Sequence, residues 1–413
     1  MARPADQDLV SGEVAIGTPE ARRARALKFV LLMGMVSLFA DMCYEGMRSA
    51  VGPYLGLLGA TGAAVGFVGG LGELIGYGLR YVTGRIADRT GAYWGLTMAG
   101  YGVNLIAIPA MALVGTWWAV AALIALERFG KAVRNPARST LLSFAAHDLG
   151  AGKSFGIHQA MDQVGAVTGP LIVGLVLWWR GDGVGGYQWA FVLLAIPAVL
   201  TLISLVVARA KFPNPGALAP ASAAPDARLG AAYRWYLVGV GLIAAGLCDW
   251  ALLSFHLGGT GVVPAHWLAF VYAAAMAADA IAALVIGSLY DRARERGGTG
   301  IGVLAIAALL AAAYAPMVLC GAQVPAMIGV AIWAAALAAT DSIGKSVVAQ
   351  LTPAASRGRA YGGYYAVFGL AWWVGSVIAG QLYDRSPAAA AGFASGCLVA
   401  GAAVLALTAR RAR

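Results

Sequence analysis

The feature that most constrains this chain is a rhythm of apolar runs, each about the thickness of a bilayer, separated by short polar breaks along its whole length. A helix crossing hydrocarbon needs about 20 apolar residues. Such runs fall near 27–50, 61–83, 92–115, 117–143, 153–179, 186–209, 232–257, 266–290, 298–320, 323–350, 359–382 and 387–409. The expectation is an all-α membrane protein of twelve transmembrane helices. Composition agrees: 60% of the 413 residues are hydrophobic and only 12% charged, where an ordinary soluble domain carries about 25% charged residues.

The net charge of +10 does not point to nucleic acid, because the basic residues stand singly or in small groups between apolar runs rather than in one aromatic-interleaved patch. Residues 1–26 read as a polar tail. The first apolar run carries Asp41 and Glu45 and no small-residue cleavage site follows it, which argues against a removed signal peptide. Cys43, Cys248, Cys320 and Cys397 are scattered without ligand spacing, so no disulfide framework, metal site or cofactor is expected.

Six runs lie on each side of KFPNPGALAPASAAPDARLG, Lys211 to Gly230. This Pro/Ala-rich stretch is too polar to span and too poor in large apolar residues to fold alone. The expected organisation is a first six-helix bundle at 27–209, a linker at 210–231, a second bundle at 232–409 and a short tail at 410–413. Basic residues cluster at alternate loops, among them Arg22, Arg23 and Arg25, then Arg85 and Arg89, then Arg292, Arg294 and Arg296, then Arg410 and Arg411, while the opposite loops offer little beyond Arg180 and Arg385. By the positive-inside rule both termini are cytoplasmic and the helix count is even.

The halves repeat each other. GRIADR, Gly84 to Arg89, recurs 203 residues on as GSLYDR, Gly287 to Arg292, and GKSFG at Gly152 recurs 206 residues on as GRAYG at Gly358. Gly169 and Gly174 have partners at Gly375 and Gly380 with the second offset, and Asp41 has a near-partner in Asp249. GQLYDR, Gly380 to Arg385, is a further copy that the topology puts on the opposite side. Several matches at similar offsets indicate a duplicated six-helix unit, the construction of two-halved transporters.

GRIADRTG, Gly84 to Gly91, resembles the loop signature G-x-x-x-D-R-x-G between helices 2 and 3 of the major facilitator superfamily, and helix count, central linker and repeat extend the resemblance over the whole chain. Ala92 and Tyr93 replace the two basic residues of that signature. The resemblance implies a conformational latch at Gly84, Asp88, Arg89 and Gly91, with its second copy at Gly287, Asp291 and Arg292; an aspartate there can take a facing helix dipole or an arginine. Gly156, Gly165, Gly169, Pro170 and Gly174 resemble the family's antiporter motif on helix 5, with Val173 where a glycine is expected. That motif is associated with export in exchange for protons, and its small residues would allow contact with the matching helix of the other half. Simple helix packing with no bearing on direction is the alternative.

Ionisable groups at bilayer depth cost about 2.5–3.5 kcal/mol or more each, so each needs a partner, a wet cavity or a function. Asp41, Glu45, Arg48, Glu73, Asp162, Asp249, His256 and Asp279 all fall inside apolar runs and are the candidate proton and substrate pathway. Asp41, Glu45 and Arg48 share one face of helix 1, and one arginine cannot neutralise both acids. The surplus carboxylate is a candidate proton carrier because desolvation favours the neutral acid, with Asp41 preferred and Glu45 equally suited to a static pair with Arg48. Glu127 with Lys131, and Asp341 with Lys345, are four apart and are expected to form structural ion pairs. Cys43 points away from Asp41 and Glu45 on a helix, so these three are not read as a metal site.

The resulting expectation is a monomeric secondary transporter of the cytoplasmic membrane, its halves rocking around a midplane site. Proton-coupled efflux of a small molecule is the preferred activity, a proton-driven importer of a metabolite the alternative, and a channel or receptor the alternative of a different class. No nucleophile elbow, phosphate loop or paired His-Glu zinc motif suggests an enzyme.

Overall fold

The structure, a computed structural model, describes residues 19–149, 151–213, 229–353 and 356–411. The expected linker lies largely outside the described residues, as does most of the N-terminal tail.

The apolar runs become helices in chain order. In the first half these are α1 (Pro19–Leu57), α2 (Gly62–Gly78) continued by α3 (Arg80–Thr90), α4 (Tyr93–Ala110), α5 (Trp117–Leu149), α6 (Ala151–Arg180), and α7 (Val184–Leu193) continued by α8 (Ala195–Lys211). In the second half come α9 (Ala231–Gly246) and α10 (Trp250–Gly259), α11 (Ala265–Glu295), α12 (Ile301–Ala311) and α13 (Tyr314–Val318), α14 (Gln323–Leu351), α15 (Arg357–Arg385) and α16 (Pro387–Arg411). Among the described residues, eleven of these spans are long and apolar enough to cross a membrane. The remaining one, α5, is 33 residues long but carries Glu127, Arg128, Lys131, Arg134 and Arg138. Its charges turn inward: Glu127, Arg128 and Arg134 are all buried. The chain thus forms an all-α membrane protein of two six-helix bundles.

The seventh span was expected as one helix over 232–257 and is instead broken. Leu247 and Asp249 have extended backbone, and the freed polar groups are re-satisfied from neighbouring helices. The Tyr314 hydroxyl donates to the Gly246 carbonyl at 2.8 Å and accepts from the Cys248 N–H at 2.8 Å. Trp333 Nε1 donates to the Cys248 carbonyl at 3.0 Å, and the Asp249 carboxylate caps α10 by accepting from the Ala251 N–H at 2.9 Å. Broken backbone survives at membrane depth only when enclosed in this way.

The duplication is visible in packing. Gly169 of α6 lies against Met42 of α1, and Gly375 of α15 lies against Ala245 of α9, each a fifth helix on the first helix of its own half. Gly174 and Gly380 reach across instead: a Cβ at Gly174 would stand 2.8 Å from the Phe270 ring on α11, and one at Gly380 would stand 2.6 Å from the Gly62 carbonyl on α2. This corrects the reading of the helix-5 glycines. Gly165 and Gly169 pack within their own bundle, on Leu38 and Met42, and of the motif's glycines Gly174 meets the other half.

At one end the bundles are closed. There α1 meets α10 at Gly52 and Ala251, α6 meets α11 at Gly174, and α2 meets α15 at Gly62 and Gly380. Toward the other, divergent end α6 and α11 stand clear of neighbours at Gly156 and Gly287, where a Cβ would meet nothing within 4 Å, while α3 and α15 still meet at Tyr81 and Gly362.

Candidate functional site

Between the halves lies a cavity of about 170 Å³ whose wall carries six carboxylates, Asp41, Glu45, Glu73, Asp162, Asp279 and Asp341, against a single guanidinium, Arg48. Helices α1, α2 and α6 of the first half face α11, α14 and α15 of the second. Asp341 is exposed, as is Gln159 in the same wall, so the cavity opens toward the end where α6 and α11 diverge.

Three of the six acids are held by the protein. Glu73 lies 3.0 Å from Arg128 Nη1 and 3.5 Å from Arg48 Nη2. Asp162 lies 3.3 Å from His158 Nδ1, and His158 in turn shares a 2.8 Å hydrogen bond with Ser37. Glu45 accepts from the Tyr272 hydroxyl of the other half at 2.6 Å. Asp41, Asp279 and Asp341 have no hydrogen bond or ion pair to the described residues. Three acids therefore face the cavity with no bonded cation among the described residues, and burial makes such charge costly until a proton or a cation arrives.

Behind this wall runs a buried chain of charge. Asp249 Oδ2 stands 3.0 Å from Arg48 Nη2; Arg48 and Arg128 share Glu73; Arg128 Nε stands 3.3 Å from Glu127, which also accepts from Asn104 Nδ2. Both arginines are thereby flanked by acids on two sides, and the chain runs from the α10 cap through α1, α2 and α5 to α4.

Several expected placements change. Asp249 does not line the main cavity; it sits at the helix break, bound to Arg48. His256 is buried near the closed end, its Nδ1 3.0 Å from the Tyr383 hydroxyl. The Glu127–Lys131 pair does not form, because Asn104 and Arg128 take the carboxylate and Lys131 Nζ lies 3.3 Å above the Tyr44 ring centroid. Nor does Asp341 pair with Lys345: Asp341 turns to the cavity. Asp88, Arg89, Asp291 and Arg292 are exposed at the divergent end, with Gly91 at φ 63° closing α3.

Sequence reading missed Arg128 as a cavity-supporting cation, and Gln159 and Gln163 as its polar wall. The glutamines flank Asp162 at three residues before and one after, so the apolar run is interrupted there by a polar stripe that was legible. Of the aromatics, Tyr77 and Trp372 line the cavity, stacked with 21° between their planes and centroids 6.5 Å apart. Trp250, Tyr272 and Trp333 fill the core around the helix break.

Comparison with known proteins gives this geometry a context. Residues 30–262 match the family model described as Major Facilitator Superfamily. Uncharacterized proteins of Mycobacterium tuberculosis (strain ATCC 25618 / H37Rv) and Mycobacterium bovis (strain ATCC BAA-935 / AF2122/97) are 39% identical over 385 residues, covering 91% of this chain and 92% of each of theirs. Among solved structures, the peptide transporter POT in complex with sulfate superposes with a TM-score of 0.75 at 16% identity over 93% of this chain and 94% of that one. The nucleoside transporter NupG superposes with a TM-score of 0.73 at 15% identity, over 92% and 99%. A bacterial homologue of the human lysosomal transporter Spinster, in an inward-facing and unoccupied conformation, gives 0.70 at 16% identity, over 94% and 96%.

Proposed function

The chain belongs to the major facilitator superfamily and is a membrane transporter of that type, and from this premise we propose that it works by alternating access as a proton-coupled exporter of small cationic molecules. The observation that carries the reading is the charge imbalance of the cavity, six carboxylates against one arginine, with Asp41, Asp279 and Asp341 unpaired. Such a wall is neutralised either by protons or by a positively charged solute. Two occupants that compete for the same charge bind at different times, and a carrier that reorients readily only when neutralised then exchanges one for the other. Tyr77 and Trp372 add an aromatic surface suited to an organic cation. The antiporter-like glycine spacing of α6 supports exchange as well.

The basic loops set the orientation. Arg85, Arg89, Arg292 and Arg294 lie at the divergent end, which by the positive-inside rule supports a cavity opening to the cytoplasm with both termini cytoplasmic; the reading is completed by a monomer in the cytoplasmic membrane. Residues 210–231 then serve as a cytoplasmic linker between bundles.

The test is a thermal-shift screen of the purified transporter against organic cations, neutral metabolites and organic anions, followed by proton movement in proteoliposomes with the strongest stabiliser. Cations should raise the melting temperature, and their addition should drive protons in the opposite direction, read by a trapped pH-sensitive dye. Stabilisation by anions alone, or cation flux with no proton movement, would refute the reading.

A further inference from the structure

The third copy of the hexapeptide, Gly380 to Arg385, ends α15 at the closed end, where the other two copies are absent. Its side chains do there what the loop signature requires of a latch. The Asp384 carboxylate accepts from the first two N–H groups of α2 in the opposite bundle, Gly62 N at 2.7 Å to Oδ1 and Ala63 N at 2.9 Å to Oδ2. Thr61 accepts from the next one, Ala64 N, at 3.2 Å. Four N–H groups at a helix start lack partners within the helix, so two of those of α2 are satisfied only by the neighbouring bundle, with the negative charge at the favourable dipole end.

The rest of the hexapeptide supports the contact. Gly380, one turn before Asp384, leaves the space that lets α15 reach α2: a Cβ there would stand 3.1 Å from the Ala63 Cα and 3.2 Å from the Gly66 Cα. Tyr383 reaches α10, its hydroxyl 3.0 Å from His256 and its ring edge-on to Phe255 at 5.8 Å. The pseudo-symmetric corner carries a weaker counterpart, in which Asp182, just past α6, lies 3.5 Å from His266 in the first turn of α11. Asp88 and Asp291 of the other two copies are meanwhile exposed at the divergent end.

We propose that Asp384 is the latch of the closed end, a bundle-to-bundle helix cap that forms when this end shuts and has to be released before the cavity can open there. The hexapeptide thus occurs at both ends of the transporter, bridging the bundles at one and exposed at the other. This goes beyond the assignment of substrate and coupling ion, and holds for either direction of transport.

The experiment measures opening directly. Ser376 is buried two turns from Asp384, against Gly70 of α2, so in a background without native cysteines Ser376→Cys reacts with a thiol reagent only when α2 and α15 part. Where closing outpaces alkylation, the rate follows the open population. Asp384→Asn, which removes the charge and one acceptor oxygen, should raise that rate about tenfold, the effect of losing a charge-assisted hydrogen bond, and Asp88→Asn should not raise it. An unchanged rate in Asp384→Asn overturns the latch and reduces Asp384 to a local cap. If that variant cannot be purified, Gly380→Ala decides the matter: its added methyl group should raise the rate likewise, and a wild-type rate overturns the proposal.

Discussion

Arg48 Nη2 on α1 and Asp249 Oδ2 at the break before α10 stand 3.0 Å apart, joining one half of the transporter to the other. Both side chains are largely buried, at 14% and 5% exposure, so the pair cannot be dismissed as a solvent-screened contact. Arg48 also touches Glu73, which makes it the pivot between the inter-bundle bond and the cavity wall. A cationic solute that competes for Glu73 would leave Arg48 to Asp249, and the reverse.

Asp249 has two separable tasks, since Oδ2 takes Arg48 and Oδ1 takes the Ala251 N–H. Removing one partner of a buried pair costs about 3–5 kcal/mol where nothing replaces it, and the second acid beside Arg48 places the expected loss near the lower end. Asp249→Asn should lose most of the ion-pair contribution yet keep a capping oxygen, and Asp249→Ala should lose about 1 kcal/mol more with the cap. Thermal denaturation of the purified variants checks both steps. Equal melting points for Asn and Ala would show that the cap is immaterial, and a wild-type melting point for both would show that the pair does not hold the bundles.

The break itself depends on Tyr314, whose hydroxyl serves Gly246 and Cys248 together. Tyr314→Phe keeps the ring, fully buried in the wild type, and orphans two buried backbone groups. Each costs about 1–3 kcal/mol, so a loss of at least about 2 kcal/mol is expected, seen as a lower melting temperature. Amide hydrogen exchange at 246–249 should be faster in the variant than in wild type. A variant as stable as wild type would mean that water enters the break and serves the same groups.

How much of this was legible follows from the physics of each signal. Lipid-length apolar runs depend on composition alone, so the twelve spans could be read directly, and a charge inside such a run stands out against it: Asp41, Glu45, Arg48, Glu73, Asp162 and Asp279 were visible and the structure places all six on one cavity. Partner choice was not visible, because spacing along one helix says nothing about what a neighbouring helix offers. Glu127 went to Asn104 and Arg128 instead of Lys131, and Asp341 to the cavity instead of Lys345. The break at Leu247–Asp249 had a faint local signal in Gly246 followed by the cap-former Asp249, masked by the apolar residues around them. Asp384 was visible only as a stray copy of a motif, since its use depends on the α2 helix start more than 320 positions away in sequence.

Asp41 offers the sharpest test of coupling. It lines the cavity on α1, one turn before Glu45 and two before Arg48, and has no hydrogen bond or ion pair to the described residues, whereas Glu45 is held by Tyr272 and Glu73 by two arginines. A carboxylate already bound by cations gains little from a proton, and one that Lys131 and Arg134 approach without bonding, with Asp162 and Glu45 also near it, gains more. Asp41 is thus the first-half group best placed to load and release a proton as the cavity changes sides, with Asp279 its second-half counterpart. Asp41→Asn imitates the protonated state permanently. It should abolish proton movement on substrate addition in proteoliposomes, while substrate binding and substrate-for-substrate exchange persist within about threefold of wild type, as expected when one unpaired polar contact of about 0.5 kcal/mol is altered. The pH dependence separates carriers from structural groups: wild-type transport should respond to the proton gradient, and the variant should become indifferent to it. Equal proton movement in wild type and Asp41→Asn would remove Asp41 as the carrier, and the same assay on Asp279→Asn would then decide whether the second half carries the proton instead.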